Sequence, residues 1–258
     1  ATYVPATRTL HIIPARKTLK IKEAVSLLGE CTGNYAHWML ETLPKLVVLD
    51  QLKVHRDLPL LVDGWIHPIF FQTLALLNES ARPIIRVDRW QMVEAERIIH
   101  ISPPSYTAPE NRDYHLKGKR PEPSAQAYSI SPHEMHLLRT RAVAEAKKLL
   151  CHSHPPKAPA NIFRIDVENG VVKAAVHNPP QEKDALVHHI QPKRVYLKRT
   201  ARSAGNPRQL VGVDRLESML AERGFVAIDP ATLTFAEQVV LLESAEVVVA
   251  PVGAALVN

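Results

Sequence analysis

An α/β fold in two layered units is what this chain predicts, and three observations carry the reading. Short β-branched runs alternate with stretches of helical periodicity along most of the sequence. A length of 258 residues suits two modest α/β domains or one large one. The segment Leu233 to Asn258 reads as a helix, a buried parallel strand and a small-residue turn opening a second helix. Val247, Val248 and Val249 form the run expected of a strand covered on both faces. The chain stops within a few residues of that second helix, so the last sheet reads as cut before its end.

The composition is globular, with 46% hydrophobic and 22% charged residues. Two cysteines, Cys31 and Cys151, build neither a disulfide framework nor a four-ligand zinc site, so a reducing, cytoplasmic setting is expected. No apolar run reaches about 18 residues, and residues 1–20 lack the charged-then-apolar pattern of a signal peptide. The net charge of +6 calls for an anionic partner: nucleic acid, a nucleotide-sugar, or the inner face of an anionic membrane met peripherally. Tyr196 is the only aromatic residue in the basic stretch Lys193 to Arg208. Stacking platforms for single strands are therefore missing, and no nucleic-acid role is expected.

The elements follow in order. Leu10 to Ile13 reads as a strand. Asn34 can cap a helix from about Tyr35 to Leu52 whose apolar face holds Trp38, Met39, Leu43, Leu46 and Leu49, with Pro44 bending or splitting it. Leu58 to Val62 is a buried strand, Pro68 to Leu77 a helix, and Ile84 to Val87 and Met92 to Ile101 two more strands. Ser102 to Glu122 is a loop, and Ser131 to Leu150 a helix with Pro132 early in its first turn. Residues 151–192, punctuated by prolines, are a linker or an insertion, with a hairpin over Ile162 to Val176 turning at Asn169-Gly170. Arg194 to Leu197, Phe225 to Ile228 and Glu246 to Ala250 are then strands. The helices between them are Val213 to Arg223, closed by Gly224, and Phe235 to Ser244, which has the periodicity of a surface helix.

Four constellations bear on chemistry. His37 and Glu41 are four apart and share a helix face, so a carboxylate could orient an imidazole acting as general base; an ordinary local pair fits the same spacing. Lys198, Arg199, Arg202 and Arg208 follow a strand, where open α/β sheets bind ligands. Phosphate binding and a solvated basic loop both suit them. Gly253-Ala254-Ala255 offers backbone N–H groups at a helix start, suited to a diphosphate or to close helix packing. It lacks both G-x-G-x-x-G and a P-loop lysine, so hydride-transfer and triphosphatase readings fall away. The histidine clusters at His133-His136, His152-His154 and His188-His189 have no zinc spacing and read as surface residues, so no metal site is expected.

Two blocks together resemble glycosyltransferase family 61. Asn34-Tyr35-Ala36-His37-Trp38-Met39-Leu40-Glu41-Thr42-Leu43-Pro44-Lys45-Leu46 is close to the family's N-Y-x-H-W-x-x-E-x-L-P-x-L stretch. Val195 to Arg199, Gly224-Phe225, Phe235 to Gln238 and Gly253 to Asn258 follow its strand-basic-loop, G-F, F-x-E-Q and G-A-x-L-x-N order. Val252 stands where many members carry histidine, Lys198 where serine or asparagine is frequent, and Gly212-Val213 where Asn-Glu is usual. Members also continue past the final asparagine, as expected if this chain is C-terminally incomplete.

The resemblance implies a GT-B-like fold of two Rossmann-like domains. Residues 1–150 would form an N-terminal acceptor-side domain, 151–192 a linker or insertion, and 193–258 a truncated nucleotide-sugar-binding domain. It implies an inverting transfer, without a required metal or other cofactor, from a nucleotide-sugar to a glycan or polysaccharide acceptor, as in capsule biosynthesis. His37 would be the base and Glu41 its orienter. Arg199, Arg202, Arg208, Gly253 and Ala254 would hold the diphosphate, and Asn258 would contact the donor. A non-catalytic nucleotide-sugar or glycan-binding module is the alternative.

Overall fold

The computed structural model of the chain describes residues 2–4, 7–11, 17–29, 31–107, 128–152, 163–168, 171–176, 192–198 and 212–251. A short antiparallel pair, β1 (Thr2–Val4) and β2 (Thr9–His11), precedes the long strand β3 (Lys17–Ser26). Helix α1 (Tyr35–His37) runs into a π-turn over Trp38–Thr42 and then α2 (Pro44–Leu52). Strand β4 (Leu60–Asp63), helix α3 (Pro68–Leu77), and strands β5 (Ile84–Val87) and β6 (Gln91–His100) complete a parallel sheet in the order β6-β3-β4-β5. Proline splits the first helical stretch as expected. The expected β4 and β6 are found with their boundaries shifted by one or two residues.

Side-chain alternation along these strands sorts two faces. Val25, Leu27, Leu60, Val62 and Ile84 lie in the large core under the helices. Ala24, Leu61, Ile85 and Val87 form a smaller cluster apart from it. Strands β7 (Tyr106–Thr107) and β8 (Tyr128–Ser129) pair antiparallel, and α4 (Pro132–His152) follows. The centre of the expected loop over Ser102 to Glu122 lies outside the described residues. Leu138, Ala142 and Ala146 put one stripe of α4 into the large core, the two alanines allowing close approach.

Strands β9 (Phe163–Glu168) and β10 (Val171–Val176) pair antiparallel, and the turn at Asn169-Gly170 lies outside the described residues. Val171 and Val172 also pair with Ile85 and Ile84 of β5, which extends the first sheet to six strands. This part of the 151–192 segment is thus joined to the N-terminal sheet.

The second sheet is parallel, in the order β12-β11-β13. It comprises β11 (Arg194–Leu197), β12 (Val226–Ile228) and β13 (Val247–Val249), with α5 (Val213–Ala221) and α6 (Phe235–Ser244) as its helices. Gly224 ends the α5 turn at φ +75°, a conformation that a Cβ would strain. Two expectations need correcting here. Val247 and Val248 are 44% and 37% exposed, because β13 is an edge of the three described strands and only β11 is enclosed. And α6 is no surface helix: Phe235, Ala236 and Val239 enter the large core beside α3 and α4, while Leu241 packs under β11. The Phe235 N–H donates to Gln72 Oε1 of α3 at 2.9 Å, and Lys147 pairs with Glu243 at 2.8 Å.

Asp50, at the end of α2, fastens three elements. One carboxylate oxygen takes Arg82 Nη1 at 2.7 Å and the other takes Arg141 Nη1 of α4 at 2.5 Å. The Arg82 and Asp50 side chains are 0% and 4% exposed, so this pair is fully inside the protein.

Candidate active site

The candidate site begins where β3 leaves the sheet. Asn34 is extended (φ −97°, ψ 125°), and its side chain accepts the Ala36 N–H at 3.0 Å, capping α1. Ten residues further on, Pro44 has no N–H, and its ring would clash with the carbonyl four residues back. The helix widens instead: Leu43 N–H reaches Trp38 O at 2.8 Å, five residues back, and the 38–42 turn is π-helical. Side chains four apart share a face in an α-helix, and they still do across this wider turn. Such single turns recur at functional sites.

His37 and Glu41 share such a face. His37 Nδ1 lies 2.7 Å from Glu41 Oε1, and the two side chains are 27% and 19% exposed. Against an ionised carboxylate, which can only accept, a neutral imidazole carries its proton on Nδ1 and keeps its lone pair on Nε2. That tautomer is the one a general base needs. The two residues singled out from the sequence are therefore in direct contact and still reachable from solvent.

The turn is held by its neighbours. Trp38 is fully buried, and its indole N–H donates to Thr73 Oγ1 at 2.9 Å; Thr73 in turn donates to the Phe70 carbonyl at 2.7 Å. Phe70 stacks on Tyr35 at 5.8 Å and meets Trp38 at 5.1 Å between ring centroids. Helix α3 thus clamps both sides of His37. One more turn along, Lys45 is only 6% exposed. Burial lowers its pKa, and the Glu41 carboxylate opposes that shift. In the sequence Lys45 is marked only as the next step of the 37, 41, 45 series on one helix face.

The second half of the site is only partly in view. Arg199, Arg202, Arg208, Gly253, Ala254 and Asn258 all lie outside the described residues. Lys198, at the head of the basic loop, binds Glu217 of α5 at 2.9 Å, and that hydrogen bond raises its pKa. Glu237 accepts the Thr234 N–H at 2.7 Å in a capping box, and Glu246 pairs with Lys193 at 3.4 Å, so both brace the unit. His133 and His136 are exposed, and among the described residues no three His, Cys, Asp or Glu side chains converge. No described helix is long and apolar enough to cross a membrane.

No curated protein and no solved structure matches the chain. The model of the glycosyltransferase 61 family does match, over residues 35–258, from the first residue of α1 onward. The chain, which sets a paired histidine and carboxylate at the start of that match, belongs to glycosyltransferase family 61 and is a glycosyltransferase, acting between a sugar donor and an acceptor.

Proposed function

We propose that the chain is an inverting, metal-independent transferase that moves a sugar from a nucleotide-sugar to a hydroxyl of a glycan or polysaccharide acceptor, of the kind made into capsules. His37 is the base. Its Nε2 takes the proton of the acceptor hydroxyl as that oxygen bonds to the anomeric carbon from the face opposite the diphosphate. The bond from carbon to diphosphate oxygen breaks, and the diphosphate departs with the electron pair. Glu41 holds Nδ1 and balances the imidazolium that results.

The observation that carries this reading is the 2.7 Å contact between His37 Nδ1 and Glu41 Oε1 on the helical segment that follows parallel strand β3. Open α/β sheets bind ligands beyond the carboxyl ends of their strands. The departing charge falls to Arg199, Arg202 and Arg208 and to the backbone N–H groups of Gly253 and Ala254, with Asn258 against the donor. Fixed positive groups of that kind stabilise a leaving diphosphate without a metal. The arrangement is GT-B-like: residues 1–150 present the acceptor, 193–258 hold the donor, and 151–192 connect or extend them. The basic surface suits peripheral contact with the inner face of a membrane.

His37→Ala tests the proposal. Transfer should be lost while donor affinity, read by calorimetry, stays within about twofold. Full activity in that variant would remove His37 as the base.

A further inference from the structure

A crevice of about 430 Å³ opens at the carboxyl ends of three neighbouring parallel strands, β3, β4 and β5. It is lined by Asp63, Trp65, Asp88, Arg89, Trp90 and Gln91, among others. None of these residues belongs to the His37–Glu41 pair or to the diphosphate set. Its size lies within the usual range of small-ligand clefts, about 300–1,000 Å³.

The lining combines features that exposed residues rarely share. Trp65 and Trp90 are 44% and 46% exposed, although tryptophan is among the residues a fold most gains by burying. Trp65 is held in place at the surface. The Arg89 guanidinium sits 4.5 Å over the Trp65 ring, and Gly33 approaches that ring so closely that a Cβ there would fall 2.7 Å from it. Trp90 takes φ +66°, a left-handed conformation uncommon for a bulky residue. Asp63 is fixed by a hydrogen bond from the Thr32 hydroxyl, and Gln91 Oε1 accepts the Asp88 N–H at 2.9 Å.

We propose that this crevice is the acceptor subsite and binds a neutral glycan, one or two pyranose rings beside the reacting hydroxyl. The inference rests on the transferase reading above. Indole faces carry negative charge density that attracts the C–H face of a pyranose, while its hydroxyls are donors for fixed carboxylate and amide oxygens. The charge at the crevice selects against the donor. Asp63 and Asp88 are acidic in a chain of net charge +6, and Arg89, the one arginine among the described lining residues, is already engaged on Trp65. A diphosphate is repelled there; an uncharged polyol is not. The loop whose Thr32 and Gly33 back Asp63 and Trp65 of the lining continues through Asn34 into α1, so one short segment touches the subsite and leads to the base.

The test is an array of neutral oligosaccharides probed with the whole chain, with nucleoside diphosphate binding measured by calorimetry in parallel. Binding to at least one neutral glycan is expected, weakened tenfold or more in both Trp65→Ala and Trp90→Ala, with Trp90→Phe keeping most of it. Unchanged melting temperatures show that the variants fold, as their exposure predicts. Nucleotide binding with no glycan bound overturns the subsite and leaves the transferase reading standing. Glycan binding undiminished in both alanine variants places the acceptor elsewhere and also overturns it. Glycan binding that needs both tryptophans, with no nucleotide bound, keeps the subsite and counts against the donor half of the reading.

Discussion

His37 Nδ1 stands 2.7 Å from Glu41 Oε1 across a π-turn that ends at Pro44. Proline removes a backbone donor, the helix widens by one residue, and the carboxylate still meets the imidazole four residues back across the widened turn. Local backbone chemistry thus prepares the base, and α3 holds it through Trp38 and Thr73.

Glu41→Gln should lower kcat by roughly 10²- to 10⁴-fold with donor affinity preserved, because an amide can present either an acceptor or a donor to Nδ1 and no longer fixes the tautomer. Steady-state kinetics alongside calorimetry check this. An unchanged kcat would mean that Glu41 does not orient the base.

Pro44→Ala restores the missing N–H and lets the π-turn close as an α-helix. Melting temperature should hold or rise, since proline is costly inside a helix, while kcat falls about tenfold as the relative orientation of His37 and Glu41 changes on their shared face. Loss of stability with unaltered kcat would contradict the account of the turn.

Gly33→Ala places a Cβ 2.7 Å from the Trp65 ring. The crowding should cost about 1–3 kcal/mol by chemical denaturation. In a Trp65→Ala background the same change should cost almost nothing, and a double-mutant cycle reads that coupling.

Asp50→Ala strands the fully buried Arg82 without its counter-ion and leaves Arg141 only its pair with the exposed Glu79. Breaking a buried pair from one side costs about 3–5 kcal/mol. Lys147→Ala, which breaks the more exposed pair with Glu243, should cost less than about 1 kcal/mol. Equal losses in the two variants would argue against Asp50 as the fastening point.

Lys45 gives a pH signature. Burial lowers its pKa in the folded protein, whereas in the unfolded chain it returns to about 10.4. Between those values the unfolded state binds more protons, so stability rises with pH through that window. Urea midpoints measured from neutral pH to pH ~10 should show the rise in the wild type, and Lys45→Met should flatten it.

Much of this was legible in the sequence because it depends on local rules. Pro68 to Leu77 and Phe235 to Ser244 carry strong start and stop signals, and both helices have those bounds. Asn34, His37, Glu41 and Pro44 lie within one short stretch, so spacing alone placed them together. What was missed depends on distant partners. The exposure of β13 follows from its place in the strand order, which three consecutive valines do not encode. The docking of α6 on α3 rests on Gln72 meeting Phe235, residues far apart in the chain. Asp50, Arg82 and Arg141 likewise carry no mark of their convergence, and Trp65 and Trp90 meet at one crevice only because β4 and β5 end side by side.

The central claim is best tested by comparing wild type and His37→Ala on a panel of nucleotide-sugars with neutral glycan acceptors, following product by mass spectrometry and its anomeric configuration by NMR. The account predicts a product of inverted configuration from the wild type, and a variant that binds the nucleoside diphosphate equally but transfers at least about 10²-fold more slowly. A product of retained configuration, or a variant that transfers at the wild-type rate, would contradict it.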